Sequence, residues 1–177
     1  LKCILGLCNY IGGDLLIDGV SADTFQVQNA NIGYVRQEFS LYPHLTVYEN
    51  IAFPLRTIHT TQEEVDRRVK EIANLLEIEW LLTRKPKQLS GGQNQRVALA
   101  RALIKNPVMV LFDEPFSNID PPLRTQLRLL VKKVHNTFGC TILFVTHDLS
   151  DALSLADRVV ILENGTILAM GTPQELT

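Results

Sequence analysis

Leu89-Ser90-Gly91-Gly92-Gln93, followed by a helix-forming run and then Val108-Met109-Val110-Leu111-Phe112-Asp113-Glu114-Pro115, decides how this chain is read. Ser90, Gly91 and Gly92 stand directly before Gln95 to Leu103, a run of high helix propensity. A serine and two glycines at a helix start expose backbone N–H groups at the positive end of the helix dipole, which favours an anion. From Val108 the chain is apolar up to two adjacent carboxylates. A strand buried in a parallel sheet has this composition, and α/β folds place ligands at the carboxyl ends of such strands. An anion site followed by paired acids suited to Mg²⁺ points to nucleoside triphosphate chemistry.

The flanking segments fit the same sheet. Asp14 to Gly19 reads as a short strand closed by a turn, and Ile32 to Arg36 as a strand ending at Gln37. Cys140 to Val145 reads as another buried strand, ending at Thr146-His147. One strand–helix–strand crossover separates Asp113 from His147, and right-handed crossovers put both strand ends on one edge of a parallel sheet. Val159 to Leu162, a turn at Glu163-Asn164-Gly165 and Thr166 to Met170 predict a closing hairpin. Thr172 to Thr177 reads as the start of one more helix.

Thr61 to Ile78 carries Val65, Val69, Ile72, Ala73 and Leu76 at helical spacing. Glu63–Arg67, Glu64–Arg68 and Asp66–Lys70 are expected as i,i+4 pairs, with Thr60 or Thr61 as cap. Asp120 is expected to cap a second amphipathic helix, with Pro121 in its first turn and Gly139 at its end. Leu1 to Leu7 reads as the end of a helix, with Gly6 and Asn9 near its stop.

The bulk numbers suit one globular domain. The chain has 177 residues, is 46% hydrophobic and 20% charged, and has a formal net charge of −2. That balance does not point to nucleic acid as the main partner. No apolar run approaches the roughly 18–20 residues that span a bilayer, so membrane association is expected only through a partner. Three cysteines, Cys3, Cys8 and Cys140, form no C-x-x-C pair and are read as buried reduced thiols, as in the cytosol.

Leu89-Ser90-Gly91-Gly92-Gln93 resembles the signature motif of ATP-binding cassette (ABC) ATPases, and Val108 to Glu114 resembles their Walker B strand. The resemblance extends over essentially the whole chain. It implies an α/β, P-loop NTPase-like fold: a mainly parallel sheet flanked by helices, antiparallel hairpins, and a helical subdomain at about residues 46–103. It implies ATP and Mg²⁺ as ligands. Asp113 would hold the metal, with Gln37 completing the metal or water shell; Glu114 would be the general base, and His147 would sense the γ-phosphate. Phe116-Ser117-Asn118-Ile119-Asp120 matches the D-loop, with Asn118-Ile119 where the family commonly has Ala-Leu. Ser90, Gly91, Gly92 and Gln93, with Ser117 and Asp120, would act at nucleotide sandwiched between this chain and a second ATPase subunit.

The segment from Phe39 to Leu55 is dense in aromatic and aliphatic groups. It resembles the region after the Q-loop in subunits that serve solute importers, where a membrane-spanning permease docks. The resemblance therefore implies a peripheral subunit on the cytoplasmic face of the plasma or inner membrane. The G-x-x-x-x-G-K-[ST] phosphate loop does not occur in these residues. In the family it precedes a helix like Leu1 to Leu7, so it is expected just upstream, and these 177 residues alone are expected to bind ATP poorly. A non-transport cassette ATPase of the ribosome-associated type and a non-catalytic regulatory cassette remain as alternatives.

Overall fold

The structure, a computed structural model, describes residues 1–9, 11–17, 19–21, 31–36, 38, 40–117 and 119–177. Its centre is a parallel sheet of β3 (Ile32–Val35), β4 (Met109–Asp113) and β5 (Thr141–Val145), in that spatial order. Val35 pairs with Phe112, and Asp113 with Val145, so the strands finish at a common edge. Alternation sorts the side chains: Val110 and Phe112 enter the main core, while Leu111 is buried on the other face.

Three helices cover that core. They are α1 (Val47–Arg56), α2 (Gln62–Leu75) and α3 (Gly91–Leu103). Val47, Ile51 and Leu55, Val65, Val69 and Ile72, and Val97 and Leu103 join one cluster with Val110 and Phe112. Thr46 and Glu49 form a reciprocal capping box that starts α1. Against β3, α3 comes so close that a Cβ on Gly33 would lie 2.7 Å from the Ala102 carbonyl oxygen. Only a glycine permits that approach.

The helix α4 (Pro121–Phe138) runs between β4 and β5 and ends at Gly139, whose φ is +61°. It is followed, after β5, by α5 (Leu149–Leu155). The closing hairpin is β6 (Val159–Glu163) and β7 (Thr166–Gly171), turned by Asn164 and Gly165, both with positive φ. A smaller hairpin, β1 (Leu16–Ile17) with β2 (Val20–Ser21), occupies the segment expected to hold a strand and turn. Thr172 begins only a single 3₁₀ turn, Pro173–Glu175.

Several expectations are corrected. Cys140 to Val145 is covered on one face only: Leu143 and Val145 are 37% and 41% exposed, while Ile142 and Phe144 pack on the core. Within the described residues β5 is the last strand of its sheet. Of the three cysteines only Cys140 is buried; Cys3 is half-buried and Cys8 exposed.

On α2, Arg67 turns to Glu64 and Glu71 instead of Glu63, and Asp66 accepts from Tyr48 and Gln62 instead of pairing Lys70. Thr61 holds the cap position without a side-chain hydrogen bond, and the Glu64 carboxylate, which would complete a capping box, is drawn instead to Arg67 and Arg68. Asp120 likewise makes no cap bond. Pro121 and Pro122 follow it and remove N–H groups that a cap would satisfy.

Leu1 to Leu7 is a hydrogen-bonded turn that ends as a helix does. Gly6, at φ +66°, donates to the Cys3 carbonyl, and Leu7 donates to the Lys2 carbonyl. That pair of bonds is the Schellman arrangement.

Candidate functional site

The common edge of the parallel sheet gathers the acids and the histidine. Asp113 is the last residue of β4. Its Oδ2 accepts from the Tyr34 hydroxyl at 3.0 Å, which leaves Oδ1 without a protein partner among the described residues. Burial, and then the hydrogen bond to Asp113, push the Tyr34 phenol above its ordinary pKa.

Glu114 follows with φ +46°, a left-handed backbone that non-glycine residues seldom adopt. It is held there from both sides. Its N–H donates to the Val145 carbonyl at 2.9 Å, and its own carbonyl accepts from Ser117 N–H at 3.2 Å and Ser117 Oγ at 2.8 Å. The turn sends the Glu114 carboxylate across to β5, where Oε2 lies 3.2 Å from His147 Nδ1. The Glu114 side chain is one-third exposed and that of His147 is 72% exposed. Both are therefore open to a ligand from solvent.

Residues after His147 anchor it. Asp148 caps α5 by accepting from the Ser150 and Asp151 N–H groups. The Asp151 N–H, with help from Ser150 and the Arg124 guanidinium, holds the Asp148 carboxyl below its usual pKa. Arg124 of α4 reaches Asp148 Oδ2 at 2.6 Å and the Phe116 carbonyl at 3.3 Å. It thus ties the segment after Glu114 to the segment after His147. Arg128 pairs with Asp151, whose side chain is almost fully buried.

The signature residues make no direct hydrogen bond to Asp113, Glu114 or His147 among the described residues. Ser90 is the N-cap of α3: its Oγ accepts from Gln93 N–H, and Gln93 Oε1 accepts from Ser90 N–H. Gln93 therefore spends its side-chain carbonyl on the cap. Ser90 and Gly91 are exposed, whereas Gly92 is buried with Leu123 of α4 against it. A bridge between the two regions comes from Gln95, a buried residue whose Nε2 donates to the Pro115 carbonyl at 2.6 Å.

The structure therefore brings together Asp113, Glu114, His147 and Ser117, and leaves Asp120 exposed at the start of α4. Gln37 and Asn118 lie outside the described residues. Sequence reading passed over Tyr34, Gln95 and Arg124. For Tyr34 a signal existed: in Ile32 to Val35 it is a polar-tipped residue on a short strand, three positions before Gln37.

The family model described as "ABC transporter" matches residues 1–117. The chain belongs to the ABC transporter family. It is 45% identical over 176 residues to the sn-glycerol-3-phosphate import ATP-binding protein UgpC 3 of Agrobacterium fabrum, a match covering 99% of this chain and 50% of that protein. It is 42% identical over 176 residues to the maltose/maltodextrin import ATP-binding protein MalK of Vibrio vulnificus, covering 99% of this chain and 47% of that one. The chain thus spans about half the length of the curated relatives it matches.

Solved cassettes share the fold. The dimeric ATP-binding cassette MJ0796, in a post-hydrolysis state bound to ADP and Pi, superimposes with a TM-score of 0.82 at 32% identity, covering 97% of this chain and 78% of that one. CbiO1 of Clostridium perfringens, part of the ABC transporter complex cbiONQ, gives 0.92 at 26% identity, covering 99% and 72%. The α/β cassette architecture expected from the sequence is thereby shown. No helix among the described residues is long and apolar enough to cross a membrane.

Proposed function

We propose that this chain is part of the ATP-hydrolysing subunit of a solute importer, working as one of two such subunits beneath a membrane-spanning permease. The observation that carries this reading is the convergence of Glu114 and His147 at 3.2 Å on the sheet edge that also holds Asp113. The names of the relatives, both import ATP-binding proteins, support the transport role. In this reading the protein is peripheral, on the cytoplasmic face of the membrane. Residues 46–103 form its helical subdomain, and the segment from residue 39 to 55 faces the permease.

The donor set fits Mg²⁺. Among the described residues no cluster of three or more metal-binding side chains exists, and Mg²⁺ is typically held by one or two carboxylates plus phosphate oxygens and water. Asp113, with Oδ1 free and Oδ2 fixed by Tyr34, would hold it, with Gln37 as a further oxygen donor. When bound, the metal neutralises phosphate charge.

The remaining work falls to the chain's own groups. Glu114 accepts the proton of a water and aims it. His147, with a proton on each ring nitrogen, would donate from Nδ1 to Glu114 and from Nε2 to an oxygen of the γ-phosphate. Ser117 and the Val145 carbonyl keep the Glu114 backbone in its left-handed turn. Ser90, Gly91, Gly92 and Gln93, at the start of α3 with Ser90 and Gly91 exposed, act with Ser117 and Asp120 across the subunit interface.

The test is ATP-driven dimerisation of the full-length gene product carrying Glu114→Gln, followed by sizing chromatography. A shift from monomer to dimer only with Mg-ATP supports the reading. Failure to bind Mg-ATP would move the assignment to a regulatory cassette.

A further inference from the structure

We propose that Cys3 and Cys8 form a reversible dithiol–disulfide pair, a modification site separate from the nucleotide chemistry. Their sulfurs lie 3.2 Å apart and share a hydrogen bond. Backbone geometry brings them there. The left-handed Gly6 and the Leu7-to-Lys2 hydrogen bond fold the chain back on itself, so that residues five apart meet. A disulfide requires an S–S distance near 2.05 Å, about one ångström closer than the thiols now sit. Rotation of the exposed Cys8 side chain supplies movement of that size without displacing the core.

Exposure makes the pair reachable. Cys8 is exposed and Cys3 half-buried, in contrast to Cys140, which sits in the main core. The hydrogen bond shared with Cys3 pushes the Cys8 thiol above its ordinary pKa, while the neighbouring Lys2 acts the other way.

The chemistry balances with a disulfide oxidant such as oxidised glutathione. The Cys8 thiol loses its proton to water, and its sulfur attacks one glutathione sulfur, breaking the glutathione S–S bond and releasing one glutathione thiolate. The deprotonated Cys3 sulfur then attacks the Cys8 sulfur, forming the Cys3–Cys8 bond and expelling the second glutathione thiolate. Both protons pass to the released thiolates. Two electrons move from the cysteine pair to the oxidant, and excess reduced glutathione reverses both steps.

The experiment uses the full-length gene product in buffers of graded oxidised-to-reduced glutathione ratio, followed by alkylation and tryptic mapping. Cys3 and Cys8 share the tryptic peptide from Cys3 to Arg36. The expected product is that peptide lighter by two hydrogens, with Cys140 alkylated only after unfolding. The native chain should reach half-oxidation at a ratio at least about tenfold lower than the same chain in urea, because the fold raises the effective concentration of one thiol at the other. Cys3→Ser should instead accumulate a glutathione adduct on Cys8. Equal ratios for native and unfolded chains overturn the proposal, as does a persistent Cys8 adduct in the unaltered protein.

Discussion

Gly33→Ala tests how the sheet meets the signature helix. The new Cβ would lie 2.7 Å from the Ala102 carbonyl oxygen, 3.3 Å from its carbon and 3.3 Å from its Cβ. The oxygen is backbone, in the last turn of α3, so no rotamer change relieves the contact; β3 or α3 must move by several tenths of an ångström. Gly33 is also fixed by its register with Val110 in the central ladder. Overpacking of this kind costs about 2 kcal/mol. For a domain of this size each kcal/mol lowers Tm by about 2–4 °C, so Tm should fall by about 4–8 °C. Thermal unfolding by circular dichroism at fixed pH reads this directly. A second substitution separates causes. Ala102→Gly removes the side chain but not the carbonyl, so a double-mutant cycle should show little rescue. A Tm within about 1 °C of the unaltered protein, or full rescue by Ala102→Gly, would show that the close approach does not constrain the fold.

Gly91→Ala meets nothing within 4 Å and should be neutral in thermal unfolding, whereas Gly92→Ala drives a Cβ to 2.6 Å from Leu123 Cδ2. Because that methyl can swing aside, the second change should cost only about 1 kcal/mol. Arg128→Met leaves the buried Asp151 carboxylate without its partner and should cost about 3 kcal/mol by urea unfolding. Tyr34 has a raised folded-state pKa, so its contribution to stability is present below the unfolded value near 10 and is lost as pH rises through the folded value. Tyr34→Phe should flatten the alkaline side of the stability profile; an unchanged profile contradicts the Tyr34–Asp113 bond. The Glu64 carboxyl, hydrogen-bonded first by Arg67 and then by Arg68, is lowered to about 2. Its stabilising effect is therefore full above the ordinary carboxyl range and disappears as pH falls toward that value, which a carboxyl-carbon NMR titration can follow.

Local signals carried most of the reading. The signature helix begins at Gly91 and the acid-bearing strand ends at Asp113, each where chain-local composition placed it. The hairpin at Asn164-Gly165 was legible because both residues accept positive φ. What was not legible depended on distant parts of the chain. The apolar pattern of Cys140 to Val145 fits burial on two faces, and nothing local reveals that Leu143 and Val145 stay partly exposed. Thr61 has the composition of a capping box with Glu64, but the Glu64 carboxylate goes to two arginines farther along the helix. The left-handed turn at Glu114 is equally invisible locally, since a glutamate gives no sign of positive φ. It follows from the Val145 and Ser117 hydrogen bonds that hold it.

The same distinction bears on how the two halves of the site communicate. The carboxylate cluster is assembled by strand ends and the signature by a helix start, so each could be built alone. Two features join them. Gln95, on the helix that Ser90 caps, donates to the carbonyl of Pro115, one residue past Glu114. Leu123, on the helix that Asp120 begins, packs on Gly92. Gln95 Oε1 has no hydrogen-bond partner among the described residues, where the Nε2 bond alone holds that amide. A buried amide held by one bond is a directional link with little else to compensate for its loss. Movement at the start of α3 is therefore expected to reach the backbone that follows Glu114. Gln95→Leu, which keeps the volume and removes the donor, should leave the fold intact and loosen that connection. Hydrogen exchange at the Glu114 and Ser117 amides would rise if the coupling runs through Pro115. It would stay unchanged if the two halves move independently.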